Sequence, residues 1–339
     1  MSDPKSRWED FYSGCLQGPL LFAPAVYDLK PALVGVPACR FGQDADELKA
    51  ALEREVEAIQ ADVLTVGYDI YNVEAEACGC CVRRDPDLPM PLVEEPLLSE
   101  PEEVERLKGL PVDPSGRMPL FLDAARWAVQ RFGWQIPVRG AVSGPFSMAA
   151  VLCRRQGLLA AALEKPGSVE RLLSWCTERI LAYARGFRQA GAGVVVFDSF
   201  ASPPLISPRL YRELVLPCHR RLFHQLRESG LEHRPLVMGG NIAPLLSAFP
   251  ETGATQFLLD FNIPLPRIRE ILETSSGLFR VNLSPRLVAE GSREEVAEET
   301  RKVLGSLRGL NNYLLGTGIL PYATPLDNIA AIRRAVLES

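Results

Sequence analysis

Short apolar runs alternate with longer amphipathic stretches along almost the whole chain, and this alternation limits the fold more than any other feature. The runs are rich in Val, Leu and Phe, as buried parallel strands are. Such alternation is typical of βα units arranged around a parallel sheet. The predicted strands are Leu20–Ala23, Val63–Tyr68, Val138–Val142, Val194–Asp198, Pro235–Met238, Gln256–Leu259, Leu278–Val281 and Tyr313–Leu315.

Helical patterns lie between these strands, and several have start signals. Ser292 followed by Glu295 is a capping-box pattern, and Pro208 and Pro325 suit the first turn of a helix. A helix after most strands favours a closed (β/α)₈ barrel, an α/β fold, over an open sheet. The predicted helices are Asp46–Gln60, Pro119–Phe132, Phe146–Arg155, Ser168–Gln189, Pro208–Glu228, Ile242–Phe249, Pro266–Thr274, Arg293–Leu307 and Pro325–Leu337.

The length fits one domain of this kind. A chain of 339 residues suits an α/β barrel that carries insertions. We therefore predict a single barrel domain over residues 1–339, with an N-terminal extension over about 1–45. The Pro-rich region over about 80–118 has no clear periodicity and is predicted to be a loop insertion, a candidate lid rather than a second domain.

Composition excludes several classes of function. The net charge is −5 and hydrophobic residues make up 47% of the chain, while the isoelectric point is about 5.5. A binder of nucleic acid or of an anionic membrane would need a basic face. Neither a secretion signal nor a run of about 18 apolar residues is visible. We expect a cytoplasmic protein that binds neither nucleic acid nor membrane.

Polar residues follow nearly every predicted strand. In a parallel barrel the carboxyl ends of the strands share one mouth, where catalytic groups gather. Any single residue there is more often a turn former or a helix cap, but a polar group at almost every strand end is harder to explain in that way. The residues are Asp69, Tyr71, Ser143, Asp198, Ser199, Asn241, Asp260, Asn262, Asn282, Ser284, Thr317, Gly318 and Tyr322.

The segment from Ser143 to Ser147, Ser-Gly-Pro-Phe-Ser, joins a predicted strand to a predicted helix. Backbone N–H groups at the start of a helix favour an anion. The alternative is a tight βα turn without a ligand. The sequence leaves both interpretations open.

Several stretches together resemble the uroporphyrinogen decarboxylase superfamily from about residue 45 to the end. Each motif is weak alone, whereas their order and spacing are specific. The segment from Tyr68 to Glu76 resembles the corrinoid-linked methyltransferase branch, as in methylcobalamin:coenzyme M methyltransferases. The other motifs are Ser143–Phe146, Asp198-Ser199, Ile206–Pro208, Leu216-Pro217, Asn282–Pro285, Gly291-Ser292, Gly316–Gly318 and Thr324–Asn328.

For the decarboxylases, the resemblance places the catalytic Asp at Asp69 and a substrate-binding Ser at Ser199. The family's Tyr after the Gly-Pro turn falls at Val151 and its C-terminal His at Thr317. Of the arginine-rich N-terminal loop, Arg40 is the one candidate. A tetra-anionic porphyrinogen needs several arginines, so this branch is disfavoured.

For the thiol-activating methyltransferases, the resemblance implies zinc held by His and Cys after the fifth strand and by Cys near the eighth. Those positions hold Val237, Gly239 and Ile319, which offer zinc no soft or imidazole ligand. We therefore expect no zinc at the family position. A different metal site could form from the carboxylates and thiols of residues 74–81, but their spacing is not standard for metal ligands. Ordinary packing or surface thiols are the favoured interpretation there.

The resemblance favours methyl transfer between a corrinoid such as methylcobalamin, carried by a partner protein, and a small molecule. Two alternatives stay open, a lyase acting on a carboxylated substrate and a non-catalytic corrinoid- or tetrapyrrole-binding protein. The resemblance also implies that barrels of this kind often form homodimers. The candidate catalytic residues are Asp69, Asp198 and Tyr71, and the candidate substrate-binding residues are Arg40, Ser143, Phe146, Ser199, Met238, Asn241, Asn282, Thr317 and Tyr322.

The remaining cysteines and the histidines are given ordinary roles. Free, mostly buried thiols suit a large cytosolic core, and this is predicted for Cys15, Cys39, Cys153, Cys176 and Cys218. The three histidines, His219, His224 and His233, are predicted to be surface residues.

Overall fold

A computed structural model describes residues 4–86 and 90–339. Eight parallel strands form one curled sheet with helices around it, which confirms the predicted barrel class. Every predicted strand is present, with ends shifted by a few residues. These strands are β1 (Phe22–Ala25), β2 (Leu64–Val66), β5 (Val138–Ser143), β6 (Gly193–Phe197), β7 (Pro235–Val237), β8 (Gln256–Leu259), β9 (Phe279–Leu283) and β10 (Tyr313–Ile319).

The predicted loop insertion contains regular structure that a search for long periodic segments missed. Strands β3 (Cys81–Arg83) and β4 (Leu92–Glu95) pair antiparallel, and a 3₁₀ helix follows at Pro101–Leu107. Residues 87–89 of this predicted insertion lie outside the described part of the chain. These elements are too short to give a periodic signal.

The helices agree with the prediction except where they are short or broken. The segment Pro208–Glu228 is interrupted by a π-helical turn at Tyr211–Val215, and the one after β7 is a 3₁₀ helix, Ala243–Thr252. No described helix is long and apolar enough to span a membrane. The α-helices are α1 (Pro4–Tyr12), α2 (Lys30–Leu33), α3 (Ala45–Ile59), α4 (Asn72–Ala77), α5 (Met118–Phe132), α6 (Pro145–Leu152), α7 (Arg155–Glu164), α8 (Pro166–Gln189), α9 (Pro208–Leu210), α10 (Leu216–Glu228), α11 (Leu265–Thr274), α12 (Pro285–Glu290), α13 (Arg293–Ser306) and α14 (Leu326–Leu337).

The hydrogen-bonded order of the sheet is β1-β10-β9-β8-β7-β6-β5-β2. The strands at the two ends of this order, β1 and β2, are not joined by a hydrogen-bonded ladder. Asp62, just before β2, joins them instead. The Asp62 N–H donates to the Phe22 carbonyl at 2.8 Å, and the Asp62 carboxylate accepts the Phe22 N–H at 2.7 Å. Arg7 and Arg333 both pair with this fully buried carboxylate, which holds the seam between β1 and β2.

The barrel interior is filled in layers. Alternate residues of each strand point inward, and Val195, Phe197, Val237 and Leu258 form one apolar cluster there. Helix α1 covers the end of the barrel opposite the mouth, where Trp8 packs among Ala23, Val63 and Leu314. The closed end is therefore a packed core, and the chemistry is left to the mouth.

The predicted capping box at the start of α13 is confirmed. The Ser292 hydroxyl accepts the Glu295 N–H at 3.2 Å, and the Glu295 carboxylate accepts the Ser292 N–H at 2.7 Å. We expect Ser292→Ala to lower the free energy of unfolding by about 1 kcal/mol, because one N-terminal donor of the helix loses its acceptor. Urea denaturation measures the change, with the exposed Ser276→Ala as control. An equal loss in both variants would contradict the assignment.

Candidate active site

Asp69 follows β2 at the floor of the mouth in an unusual backbone conformation. Its φ is 55° and that of Tyr71 is 79°; Gln60 is the third described non-glycine residue with a positive φ. Such conformations cost free energy in ordinary residues and persist where the surroundings enforce them, often at functional sites. Asp69 is buried. The turn thus holds a buried carboxylate and a tyrosine at the position predicted from the sequence.

A network of two arginines and two acids fixes the Asp69 carboxylate. Arg117 donates to Asp69 at 2.6 Å and also pairs with Glu76, which pairs in turn with Arg84 at 2.7 Å. Asn72 donates a further hydrogen bond to Asp69. Burial raises the pKa of Asp69, and Arg117 opposes that rise. The two guanidinium groups outweigh the effect of burial on Glu76 and lower its pKa.

Arg117 is a central residue that the sequence did not reveal. It is buried and lies just before α5, at the end of the predicted loop insertion. No motif or strand end marks it. The chain returns from the hairpin to the mouth, and only that tertiary path brings Arg117 beside Asp69, 48 positions earlier.

Asp28, just after β1, is a second acid that the sequence analysis missed. Burial, followed by the neighbouring charge of Asp69, raises the pKa of Asp28 to about 6. Lys30 opposes that rise, although its ammonium group pairs with Glu55 at 3.0 Å. The mouth therefore holds a carboxyl group that changes protonation state near neutral pH. The signal was available, since Asp28 also follows a predicted strand.

Asp198 is fully buried below the mouth surface rather than open to it. Its carboxylate accepts the N–H groups of Phe146 and Ser147 at 3.3 and 2.6 Å, at the start of α6. A Cβ at Gly144 would lie 2.3 Å from Asp198, so this approach requires glycine. The anion that the helix start favours is therefore a carboxylate of the protein itself, which explains the Ser-Gly-Pro-Phe-Ser turn.

The prediction that His219 lies on the surface is wrong. Its side chain is fully buried, and its Nε2 lies 2.8 Å from the Asp198 carboxylate. Its Nδ1 lies 3.0 Å from the Tyr211 hydroxyl. The face of helix α10 that carries His219 is buried, whereas His224 lies on its exposed face. His233 is half-buried and stacks on Tyr12 with ring centroids 3.8 Å apart.

Ser199 and Tyr71 meet at the edge of the mouth. The Ser199 N–H donates to the Tyr71 hydroxyl at 3.4 Å, and the Ser199 hydroxyl accepts the Gly239 N–H at 3.3 Å. The Tyr71 ring packs near Phe200, with centroids 5.7 Å apart. Burial raises the pKa of Tyr71 to about 12, so its hydroxyl is protonated near neutral pH and can donate a hydrogen bond.

Asp260 and Asn282 form the opposite side. Asn282 Nδ2 donates to Asp260 at 3.2 Å, and Gly240 N–H donates to the other carboxylate oxygen at 2.9 Å. Asn282 Oδ1 is buried and has no partner among the described residues. A buried acceptor without a partner is uncommon in folded proteins.

Ser143 and Phe146 are also buried beside this floor. The Ser143 N–H donates to Glu74 at 2.6 Å, and burial raises the pKa of Glu74. Met238 is buried as well, whereas Asn241 is exposed and its side chain accepts the Ala243 N–H at 3.1 Å. Asn241 thus lies at a turn and is not part of the floor.

Three other residues that were predicted to bind the substrate do not lie on the floor of the mouth. The Thr317 hydroxyl accepts the Ala25 N–H at 3.1 Å between β10 and β1, so it belongs to the sheet. Tyr322 is 40% exposed at the rim. Arg40 is exposed, and its loop is attached by the Tyr68 hydroxyl, which donates to the Ala38 carbonyl. Tyr71 and Ser199 meet, whereas Thr317 does not join them.

The positions at which the resemblance implies zinc ligands carry no ligating side chain. Val237 is buried in β7, Gly239 follows it, and Ile319 ends β10 with 46% exposure. Within residues 4–86 and 90–339, no three His, Cys, Asp or Glu side chains form a group that could hold a metal. The residues present do not fit zinc at the family position.

The cysteines within the described segments are free thiols, as predicted. Cys39, Cys153 and Cys176 are buried, Cys218 is half-buried and Cys15 is exposed. In the cluster after α4, Cys78 and Cys80 are buried and Cys81 is exposed, and burial raises the pKa of the first two.

Two curated relatives are methyltransferases. The methylcobamide:CoM methyltransferase MtbA of Methanosarcina acetivorans is 27% identical over 288 residues, 84% of this chain and 82% of that protein. A methylated-thiol–coenzyme M methyltransferase of Methanosarcina mazei is 28% identical over 295 residues, 83% of this chain and 77% of that protein. A uroporphyrinogen decarboxylase of Syntrophotalea carbinolica is 28% identical over 246 residues, 70% of this chain and 69% of its own.

A solved structure has the same fold. A methyltransferase from Methanosarcina mazei superposes with a TM-score of 0.85 over 100% of this chain and 99% of that chain, at 21% identity. The family model for uroporphyrinogen decarboxylase matches residues 39–339. Together with the eight-stranded barrel and the position of Asp69, this match confirms the resemblance drawn from the motifs: the chain belongs to the uroporphyrinogen decarboxylase family.

Proposed function

We propose that this protein transfers a methyl group between a corrinoid carried by a partner protein and a small molecule, without zinc at the family position. The observation that carries the proposal is Asp28, an acid with a pKa of about 6 beside the fixed Asp69. Methyl transfer to or from a protic group requires a proton to be moved, and a group that titrates near neutral pH is suited to that task.

The charge of the mouth argues against a tetra-anionic substrate. Arg117 is shared between Asp69 and Glu76, and Arg84 pairs with Glu76 as well. These arginines are therefore neutralised by the protein. Porphyrinogen carboxylates would meet the acids Asp28 and Asp69, and the two arginines beside these acids are already paired.

Asp28 is the proposed proton carrier. When a thiol or a similar acceptor receives the methyl group, its proton passes to the Asp28 carboxylate; in the reverse direction Asp28 returns it. The corrinoid supplies the methyl group or receives it. Because the positions of the zinc ligands hold Val237, Gly239 and Ile319, no step relies on a Lewis acid there.

The other mouth residues position the substrate. Arg117 and Asn72 hold the Asp69 carboxylate, and the protonated Tyr71 hydroxyl is available as a donor. Asp198, with His219, fixes the start of α6 and acts through that helix. The free Asn282 oxygen accepts a hydrogen bond from the small molecule.

An exposed apolar rim suits a large partner. Phe261 follows β8, Ile319 ends β10, and Tyr322 and Leu326 come after β10. Each of these side chains is 39–46% exposed. A Cβ at Gly318 would lie 3.2 Å from the Phe261 ring, so the two loops adjoin. Clustered apolar residues around a mouth are typical of an interaction surface. We assign this rim to the corrinoid-bearing partner.

The test is incubation of the protein with methylcobalamin and a panel of small thiols and protic acceptors, followed by absorbance. We expect loss of methylcobalamin that requires both protein and acceptor and continues over many turnovers. Uroporphyrinogen serves as the comparison substrate. Decarboxylation of uroporphyrinogen would favour the lyase instead, and corrinoid binding without any turnover would favour a binding protein; either result would overturn the proposal.

A further inference from the structure

Two arginines lie inside the barrel below the mouth, and the proposed function uses neither. Arg139 on β5 is 7% exposed and Arg280 on β9 is 6% exposed. Across the described residues, no carboxylate lies within ion-pair distance of either guanidinium. Buried charges are normally paired, because removing a charge from water without compensation is strongly unfavourable.

Gln256 on β8 contributes a third buried donor. The Tyr12 hydroxyl donates to Gln256 Oε1 at 3.2 Å. The amide nitrogen, Nε2, has no partner in the described part of the chain. Nε of Arg280 is likewise without a partner. Both atoms can only donate.

The three side chains line one small cavity. Its volume is about 10 Å³, and Arg139, Gln256 and Arg280 share its wall with Trp8, Leu258 and Leu314. The Trp8 ring lies 5.7 Å from the Arg139 guanidinium and covers it from the closed end of the barrel. A space of this size takes at most one small guest.

The polar groups around the two arginines leave the positive charge uncompensated. Arg139 Nε donates to the Thr65 hydroxyl at 3.0 Å, a neutral group. Burial and the nearby charge of Arg139 lower the pKa of Arg280, while Tyr27, which forms a hydrogen bond with it, and Asp260 oppose that change. The Asp260 carboxylate accepts its hydrogen bonds from the N–H groups of Gly240 and Phe261 and from Asn282 instead. The wall of the cavity thus presents donors and positive charge.

We propose that this cavity binds one small monatomic anion, with chloride as the physiological candidate. An anion can accept from Gln256 Nε2 and Arg280 Nε and neutralises part of the buried charge. A water molecule could accept from both donors, but it would also need acceptors for its own hydrogens. The anion has a structural role, since it joins β5, β8 and β9 through the side chains of Arg139, Gln256 and Arg280.

Bromide is the probe, because it substitutes for chloride and can be located by anomalous scattering. Crystals grown in bromide are expected to show one anomalous peak between Arg139, Gln256 and Arg280. In solution, replacing gluconate by bromide at constant ionic strength is expected to raise the Tm of the native protein by roughly 2 °C or more. No peak, or an unchanged Tm, overturns the proposal; a peak without the Tm rise would be an adventitious ion only.

Gln256→Glu tests the proposed site by placing a negative charge in its wall. The new carboxylate stands where the amide does and supplies the missing negative charge, so the bromide dependence of the Tm and the anomalous peak should both disappear. Gln225→Glu, on the exposed side of α10, is the matched control and should keep the dependence. Bromide dependence retained in Gln256→Glu would overturn the proposal. If that variant does not fold, the native protein's crystal and melting data still decide.

Discussion

Asp28→Asn is expected to lower kcat/KM for methyl transfer from methylcobalamin to an accepted thiol by about 10²- to 10⁴-fold, the usual contribution of a general base. The pKa of Asp28 is raised to about 6 by burial and by Asp69, so its carboxylate form prevails above that pH. In the native protein kcat/KM should therefore rise with pH until about 6 and then level. Asparagine accepts no proton, and the rise should vanish.

The exposed Asp113→Asn is the matched control and should keep both the rate and the pH profile. Stability should change in a known direction as well. Because the pKa of Asp28 is raised in the folded protein, the stability it contributes is full at low pH and is lost as the pH rises through about 6. A pH profile that is unchanged in Asp28→Asn would show that another group carries the proton.

Arg117→Met should lower the free energy of unfolding by about 3–5 kcal/mol, because it leaves a buried carboxylate without its counter-charge. Arg117 contacts both Asp69 and Glu76, and the side chain of Asp69 is almost fully buried. The variant should recover part of the loss as the pH falls below neutrality, since protonation removes the uncompensated charge of Asp69. Urea denaturation across pH measures both effects.

Arg126→Met, in helix α5 just after Arg117, provides the comparison. Arg126 pairs with Asp123 at 3.6 Å, and both side chains are about half exposed. Such a pair contributes at most about 1 kcal/mol. Similar losses in the two variants would show that the Arg117 network is not special. Combining Arg117→Met with Asp69→Asn should restore stability relative to Arg117→Met alone, because the uncompensated charge is then absent.

The barrel was predictable because each of its strands has a pattern that can be recognised from the local sequence. Runs such as Val194–Asp198 are apolar on both faces and end in polar residues, a pattern that needs no tertiary information. The hairpin of β3 and β4, each four residues or shorter, gave no such signal. The π-helical turn at Tyr211–Val215 was missed for the same reason, since a helical period does not reveal which hydrogen bonds a turn forms.

The site was predictable only in part, because a strand end fixes where a residue is but not where its side chain turns. Asp69 and Tyr71 lie at the mouth as their positions indicate. Asp198 has the same kind of position, yet its carboxylate turns beneath α6. Arg117 and His219 reach the site from a distant loop and from the inner side of a helix, and no local pattern carries that information.

The Asp62 seam bears on how the chain is made. During synthesis β1 emerges early. Its ladder partner β10 follows nearly three hundred residues later, since Phe22 pairs with Leu315. Asp62 emerges soon after β1 and can bind Phe22 through both backbone and side chain. It can therefore attach the first strand to the start of β2 long before β10 is made, and Arg333 adds its ion pair to the same carboxylate near the end of synthesis.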